Sequence, residues 1–110
     1  MASSKIKRNR WFVLRCCQKN PTRVKKHLEK ATDDEIETLA EIAHNVYKGN
    51  VSVPHDTVQR LRPYKKQLQE LGSKRTTKKG KRKVLQKGGG FFIPILASIA
   101  TSLFNQLLNG

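Results

Sequence analysis

The chain has 110 residues, which is enough for one small domain with flanking segments but not for a second sizeable core. Lysine and arginine number 23 against 8 aspartates and glutamates, so the formal net charge is +15. Such an imbalance says little about the fold, but it predicts an anionic partner, either nucleic acid or an anionic membrane.

No motif predicts an enzyme, a cofactor or a disulfide framework. The sequence has no glycine-rich phosphate loop between a strand and a helix, and no nucleophile paired with a base. Cys16 and Cys17 are adjacent and therefore poorly placed to bridge each other, and the three histidines are scattered, so a zinc site is not predicted. A reduced, intracellular setting is favoured. The apolar run from Trp11 to Leu14 is too short for a signal peptide.

The charges are distributed in blocks. Residues 1–30 carry ten basic residues and one acid, whereas residues 31–56 carry six acids and one lysine. Residues 57–87 return to twelve basic residues and one acid, and residues 88–110 carry no charged side chain. The acidic block either docks on the basic segments of the same chain or, more simply, forms the solvated face of one helix.

Two helices are predicted in the first basic block. Residues 5–19 contain the apolar run WFVL and are expected to form a basic helix. Asn20 and Pro21 then provide an N-cap and a proline at the first helical position, which predicts a second helix over 21–30.

A third helix is predicted over 33–48 and a fourth over 56–71. Thr32 and Glu35 have the spacing of a capping box, and Gly49 stands where a C-terminal cap is expected. The fourth helix contains Pro63, which predicts a late start or a bend there. The two helices form a helical hairpin that could also be a helix-turn-helix motif; its exposed polar residues would be Gln59, Arg60, Lys66 and Gln67.

Residues 73–90 are predicted to be a disordered polybasic and glycine linker. Eight of the fourteen residues from Lys74 to Lys87 are basic, and like charges at that density repel one another. Such a run neutralises phosphates without reading sequence, and no aromatic residue lies between Tyr64 and Phe91 to stack on bases. The predicted nucleic-acid contacts are Lys74, Arg75, Lys78, Lys79, Lys81, Arg82, Lys83 and Lys87. KKGKRKV also has the composition of a nuclear-localisation signal.

Residues 91–110 are predicted to be an apolar amphipathic helical segment, in which Pro94 can take the first helical position. Polar residues recur at spacings of three and four, which favours a surface-lying membrane helix, a membrane-disrupting peptide or a self-associating helix over a simple span. The expected membrane contacts are Phe91, Phe92, Ile95, Leu96, Ile99, Leu103, Phe104 and Leu107. The alternative is a core helix that packs on the N-terminal helices. The three glycines between the polycation and this helix are expected to act as a hinge.

The run KRTTKKGKRKVLQKGGG followed by FFIPILASIATSLFNQLL resembles the precursor of adenovirus core protein X (mu) and related proteins of adintoviruses and Maverick/Polinton elements. The resemblance covers about residues 73–110. It implies a basic part that condenses packaged DNA and an apolar part that a viral cysteine protease removes. The implied cleavage motif comprises Gln86, Gly88, Gly89 and Gly90, with the cut between the last two.

The sequence therefore predicts an all-α, non-enzymatic protein in three parts: a basic helical domain over 1–72, the linker over 73–90 and the apolar helix over 91–110. The first hypothesis is a viral or transposon-encoded virion core protein that binds double-stranded DNA in the virion and the host nucleus. Its C-terminal helix would contact a membrane or a capsid protein. The alternatives are a membrane-active capsid-internal protein and a helix-turn-helix regulator.

Overall fold

A computed structural model describes residues 4–109, with side chains described as far as Ser102. These residues form an all-α fold, as the sequence predicts, and contain no strand. The elements in chain order are α1 (Ser4–Arg8), α2 (Arg10–Arg15), α3 (Pro21–Glu29), α4 (Asp33–Tyr47), α5 (His55–Leu61), a 3-10 turn (Arg62–Tyr64), α6 (Lys65–Gly72) and α7 (Lys78–Asn109).

The predicted first helix is two short helices instead of one over 5–19. The break falls at Asn9, whose side-chain amide donates to the Lys5 carbonyl (3.1 Å), to Asp34 (2.9 Å) and to the Thr38 hydroxyl (2.8 Å). These bonds fix Asn9 against α4, and α2 ends at Arg15, four residues earlier than expected. The prediction was wrong here because the contacts that divide the helix come from residues 25 and 29 positions away.

The signals for α3 and α4 are confirmed. The Asn20 side chain accepts from the backbone N–H groups of Thr22 and Arg23, and Pro21 opens α3. At the start of α4, the Thr32 hydroxyl accepts from the Glu35 N–H (3.2 Å) while the Glu35 carboxylate accepts from the Thr32 N–H (2.9 Å). Gly49 follows the helix with φ +73°, a left-handed conformation that side chains disfavour.

The predicted helix over 56–71 forms, but it is interrupted. Its first part is α5, its second part is α6, and the 3-10 turn between them contains Pro63. Proline has no N–H to donate and its ring disfavours the preceding helical turn, so the bend occurs where the sequence places it.

The largest departure from the sequence prediction is α7. Residues 78–90, expected to be disordered, are helical, and the helix continues through Pro94 instead of starting there. Proline in a helix leaves the carbonyl four residues earlier without its helical donor. Burial of the residues on both sides of it (Phe92, Ile93, Ile95 and Leu96) offsets that loss.

The core is built around α7, which contacts α2, α3, α4, α5 and α6. Its buried apolar residues are Val84, Leu85, Phe92, Ile93, Ile95, Leu96, Ala97, Ile99 and Ala100. The other helices contribute Ile6, Phe12, Val13, Val24, Leu28, Ile36, Leu39, Ile42, Leu61, Leu68 and Leu71. The apolar C-terminal segment is therefore a central helix of the fold, the alternative that the sequence left open.

Candidate nucleic-acid interface

The acidic start of α4 is bound by basic residues of the same chain. Asp33 accepts from Arg82 at 2.8 Å and lies 3.8 Å from Lys78. Glu37 accepts from Lys81 at 3.1 and 3.2 Å. Asp33 and Glu37 of the acidic block are therefore docked on basic residues of the same chain, although the Asp33 side chain remains 56% exposed to solvent.

These ion pairs change the set of cations that can meet a phosphate. Lys81 is buried, with its ammonium group on Glu37, and Arg82 is half-buried between Asp33 and the Ala31 carbonyl (3.0 Å). Both residues were predicted to bind nucleic acid, but in the fold they hold α7 on α4. Lys78 remains exposed beside its acidic partner.

Three of the predicted residues lie on one exposed face of α7. Lys79, Lys83 and Lys87 are four residues apart and exposed, and we call them the lysine row. Four residues of α-helix advance about 6 Å along the axis, so the three lysine side chains leave the helix at intervals of about 6 Å. Like charges at this spacing destabilise a helix by about 0.2–0.5 kcal/mol per pair, so the row does not serve stability.

Two members of the lysine row, Lys83 and Lys87, line a groove of about 430 Å³ between α6 and α7, which we call the α6–α7 groove. Its lining residues are Lys66, Gln67, Glu70, Thr76, Gly80, Lys83, Val84 and Lys87. Lys66 comes from α6, and Glu70 is the one acid in the lining. The groove offers ammonium groups and hydroxyl and amide donors, a chemistry that binds phosphate oxygens.

The other two predicted contacts, Lys74 and Arg75, are exposed in the turn before α7. The Arg75 N–H donates to the Ser73 hydroxyl (3.2 Å), which orders this turn. With Lys48 they line a second, smaller groove of about 280 Å³ at the end of α4. The fold therefore does not place all eight predicted cations on one surface.

Sequence reasoning placed Lys66 in a helix-turn-helix motif and not beside the polybasic run. Its position depends on the packing of α6 on α7, which no local pattern reports. Four further exposed cations that the prediction did not include lie on or just after α3: Arg23, Lys25, Lys26 and Lys30. The concentration of basic residues in the first 30 positions was the sequence feature that could have identified them.

The glycines that were expected to form a hinge and a cleavage site lie inside α7, where it crosses α3. A Cβ on Gly90 would lie 2.6 Å from the Pro21 carbonyl oxygen, and one on Gly89 would lie 2.8 Å from Leu28. Gly89 and Gly90 are buried, while Gln86 is exposed. The glycines let the two helices approach closely, and a protease that reads an extended substrate reaches this bond only after α7 unwinds.

Most of the predicted membrane contacts are core residues. Phe92, Ile95, Leu96 and Ile99 are at most 7% exposed, whereas Phe91 is 62% exposed. The side chains of Leu103, Phe104 and Leu107 lie outside the described residues. By length and composition the stretch Lys78–Ser102 could cross a membrane, but 61% of its apolar window is buried inside the fold. A core helix passes the same test.

The fold shifts the pKa values of the Asp34 carboxyl and the Cys16 thiol. Arg8 donates two hydrogen bonds to Asp34 (2.8 and 3.0 Å), and together with Asn9 it lowers the pKa of that carboxyl from 3.8 to about 2. Burial raises the pKa of the Cys16 thiol to about 12, so it stays protonated and unreactive in the folded chain. Cys17 is exposed, and its sulfur lies 3.5 Å from the Thr101 hydroxyl.

The chain matches no protein-family model, no curated protein and no solved structure at a significant level.

Proposed function

We propose that this chain binds double-stranded DNA without sequence preference through the lysine row and the α6–α7 groove. The observation that carries the proposal is that some cations of α7 pair with acids of the same chain and others stay exposed to solvent. Lys81 and Arg82 neutralise the acids of α4, while Lys79, Lys83 and Lys87 stay exposed in a row that costs helix stability. An external polyanion would neutralise the three exposed lysines and relieve the repulsion among them.

The expected mode is contact with phosphates alone. The three lysines of the row would each release about one condensed counterion, which contributes a slope of about −2.7 to the dependence of log affinity on log salt. Base stacking has little part in this mode because Phe91 is the one exposed aromatic residue of α7 among those described.

The test compares two variants that lose the same charge. The first replaces Lys79, Lys83 and Lys87 by Gln; the control replaces by Gln three cations that are exposed outside α7, namely Lys7 of α1, Lys19 of the loop between α2 and α3, and Arg60 of α5. Binding of the full chain to a mixed-sequence duplex is measured by fluorescence anisotropy over a range of salt concentrations. The first variant should reduce the magnitude of the slope by about 2.7, and the control by less than about 1.

Equal losses in the two variants would contradict the proposed interface and indicate a diffuse attraction by the net charge. A strong preference for one duplex sequence over others would instead favour the helix-turn-helix hypothesis. Leakage of anionic vesicles by the folded chain, without binding to DNA, would favour the membrane-active alternative.

We further propose a virion core as the setting of this activity, on the resemblance of residues 73–110 to the precursor of adenovirus core protein X. Mass spectrometry of purified particles tests this part and also reads the C-terminus of the mature chain. Particles that lack the chain would overturn the virion setting while leaving DNA binding in place. A terminus at Gly89 would show that α7 is cut despite its burial.

A further inference from the structure

A third groove, away from the lysine row, has a different chemistry. It has a volume of about 780 Å³ and lies between the end of α4, residues 49–53 and α5. Its apolar lining consists of Val46, Tyr47, Val51, Val53, Val58 and Leu61. We call it the α4–α5 groove.

Apolar side chains remain uncovered in this groove. Val58 is 41% exposed and Tyr47 is 36% exposed, and they are two of the four large apolar residues that the described fold leaves exposed. Val51 and Val53 are half-buried against the core. An apolar surface concentrated in a concave site is typical of a binding groove.

The edge of the groove is cationic. Arg62 and Lys65 line it, and Lys48 lies beside it with its ammonium group 6.0 Å from the centre of the Tyr47 ring. No acidic residue belongs to the lining. An occupant that fits this surface presents apolar side chains to the floor and carboxylates to the edge.

Neither DNA nor a second copy of this chain meets both requirements. DNA supplies the negative charge, but its phosphates would cover the apolar floor without burying it in apolar contacts. A second copy carries a net charge of +15 and repels the first. Its acids at the start of α4 are already engaged by Arg8, Lys81 and Arg82.

We propose that the α4–α5 groove binds an acidic amphipathic helix of a partner protein. The apolar side of that helix would cover Val58 and Tyr47, and its carboxylates would pair with Arg62 and Lys65. This is the helix-in-groove mode of recognition, in which residues at helical spacing anchor one face. The proposal does not depend on DNA binding, since it concerns a different surface.

The probe is a synthetic helical peptide of about 16 residues with leucines on one face and glutamates on the other. Two control peptides accompany it: one with the same composition but with leucines scattered around the helix, and one with lysine in place of glutamate. Binding to the full chain is measured by fluorescence anisotropy at about 0.15 M salt. The acidic amphipathic peptide should bind about 10-fold more tightly than either control.

A matched pair of variants locates the contact. Val58→Glu places a carboxylate in the groove, and Gln59→Glu makes the same charge change at the next residue, which does not line it. Val58→Glu should weaken the peptide by about 10-fold or more, and Gln59→Glu by less than about 2-fold. Circular dichroism confirms that each variant remains folded.

Three results would overturn the proposal. The scattered peptide could bind as well as the amphipathic one, which would reduce the interaction to net charge. Both substitutions could have the same effect, which would place the peptide elsewhere. Sedimentation could also show a dimer that Val58→Glu abolishes, which would make the groove an interface between copies of this chain.

Discussion

At the scale of single residues, Gly88 and Gly90 occupy different surroundings although they are two positions apart. A Cβ on Gly90 would meet the Pro21 carbonyl oxygen at 2.6 Å, a contact that requires the helices to move apart. A Cβ on Gly88 would find its nearest neighbour, the Phe92 ring, at 3.9 Å, which is ordinary van der Waals contact.

Alanine at these two positions should therefore have opposite effects. Gly90→Ala should lower the free energy of unfolding by about 1–3 kcal/mol through overpacking. Gly88→Ala should raise it by about 0.5–1 kcal/mol because alanine is the better helix former. Urea unfolding followed by circular dichroism measures both. If both variants had the same small effect, the glycines would act as a hinge and not as a packing contact.

The carboxyl group of Asp34 makes the stability of the fold depend on pH. Its pKa is about 2 in the folded chain against an ordinary value of 3.8, chiefly because Arg8 donates hydrogen bonds to it. Between these two values the unfolded chain binds more protons than the folded one, so the stabilisation is complete above about pH 4 and is lost as the pH falls towards 2.

Asp34→Asn should remove this part of the pH dependence. The thermal midpoint of the variant should lie below that of the parent at neutral pH, and the two curves should converge near pH 2. Asp56→Asn, a change at an exposed acid of α5, is the control, and its thermal midpoint should still fall between pH 4 and pH 2 as that of the parent does. Parallel curves for Asp34→Asn and the parent would show that the Arg8 contact does not form.

At the scale of elements, α4 and α7 are joined by a pair that is largely buried. The Lys81 side chain is 8% exposed and that of Glu37 is 29% exposed. Removing one partner leaves the other with its charge poorly solvated, and the cost depends on which one remains.

Glu37→Leu should therefore destabilise the fold more than Lys81→Met. The first leaves a buried ammonium group and should cost about 2–3 kcal/mol, whereas the second leaves a carboxylate that water can reach and should cost about 1 kcal/mol. The double variant should recover much of the loss, because an apolar pair of similar volume replaces the ions. Additive losses in a double-mutant cycle would show that the two side chains do not interact.

The elements differ in how well the sequence predicts them, for a physical reason. α3 and α4 carry their caps in adjacent residues, so their starts are predicted correctly and their ends to within one residue. The basic half of α7 was predicted to be disordered because its charges are adjacent in the sequence and repel one another. The acids that relieve it, Asp33 and Glu37, lie 44 to 49 positions away in the sequence.

The candidate site also depends on tertiary contacts that no local pattern contains. The polybasic run predicts its eight cations as one set, so it could not separate Lys79, Lys83 and Lys87 from Lys81 and Arg82. That separation depends on which face of α7 meets α4. Lys66 joins the site only through the packing of α6 on α7, which is a tertiary contact.

At the scale of the whole molecule, the fold has one core to which α7 is essential. The radius of gyration is 12.6 Å, close to the value of about 13 Å for a compact domain of this length. Since α7 contacts five of the other helices, residues 1–72 have no complete core of their own.

A chain truncated after Gly72 should consequently fail to fold. Its thermal unfolding should lack a cooperative transition, and its amide hydrogens should exchange without strong protection. Hydrogen exchange of the full chain is the control and should show the strongest protection in α4 and in residues 84–100 of α7. A cooperative transition in the truncated chain would show instead that residues 1–72 are an independent domain.

The central position of α7 also fixes the order of events during biosynthesis. A ribosome adds about 5–20 residues per second from the N-terminus, so α1 to α6 are made before the helix around which they assemble. Pairing α3 with α7 closes a long loop of chain, and contacts of that separation form slowly. The emerging polypeptide therefore lacks a complete core until α7 is made, and folding completes only after translation has passed residue 100.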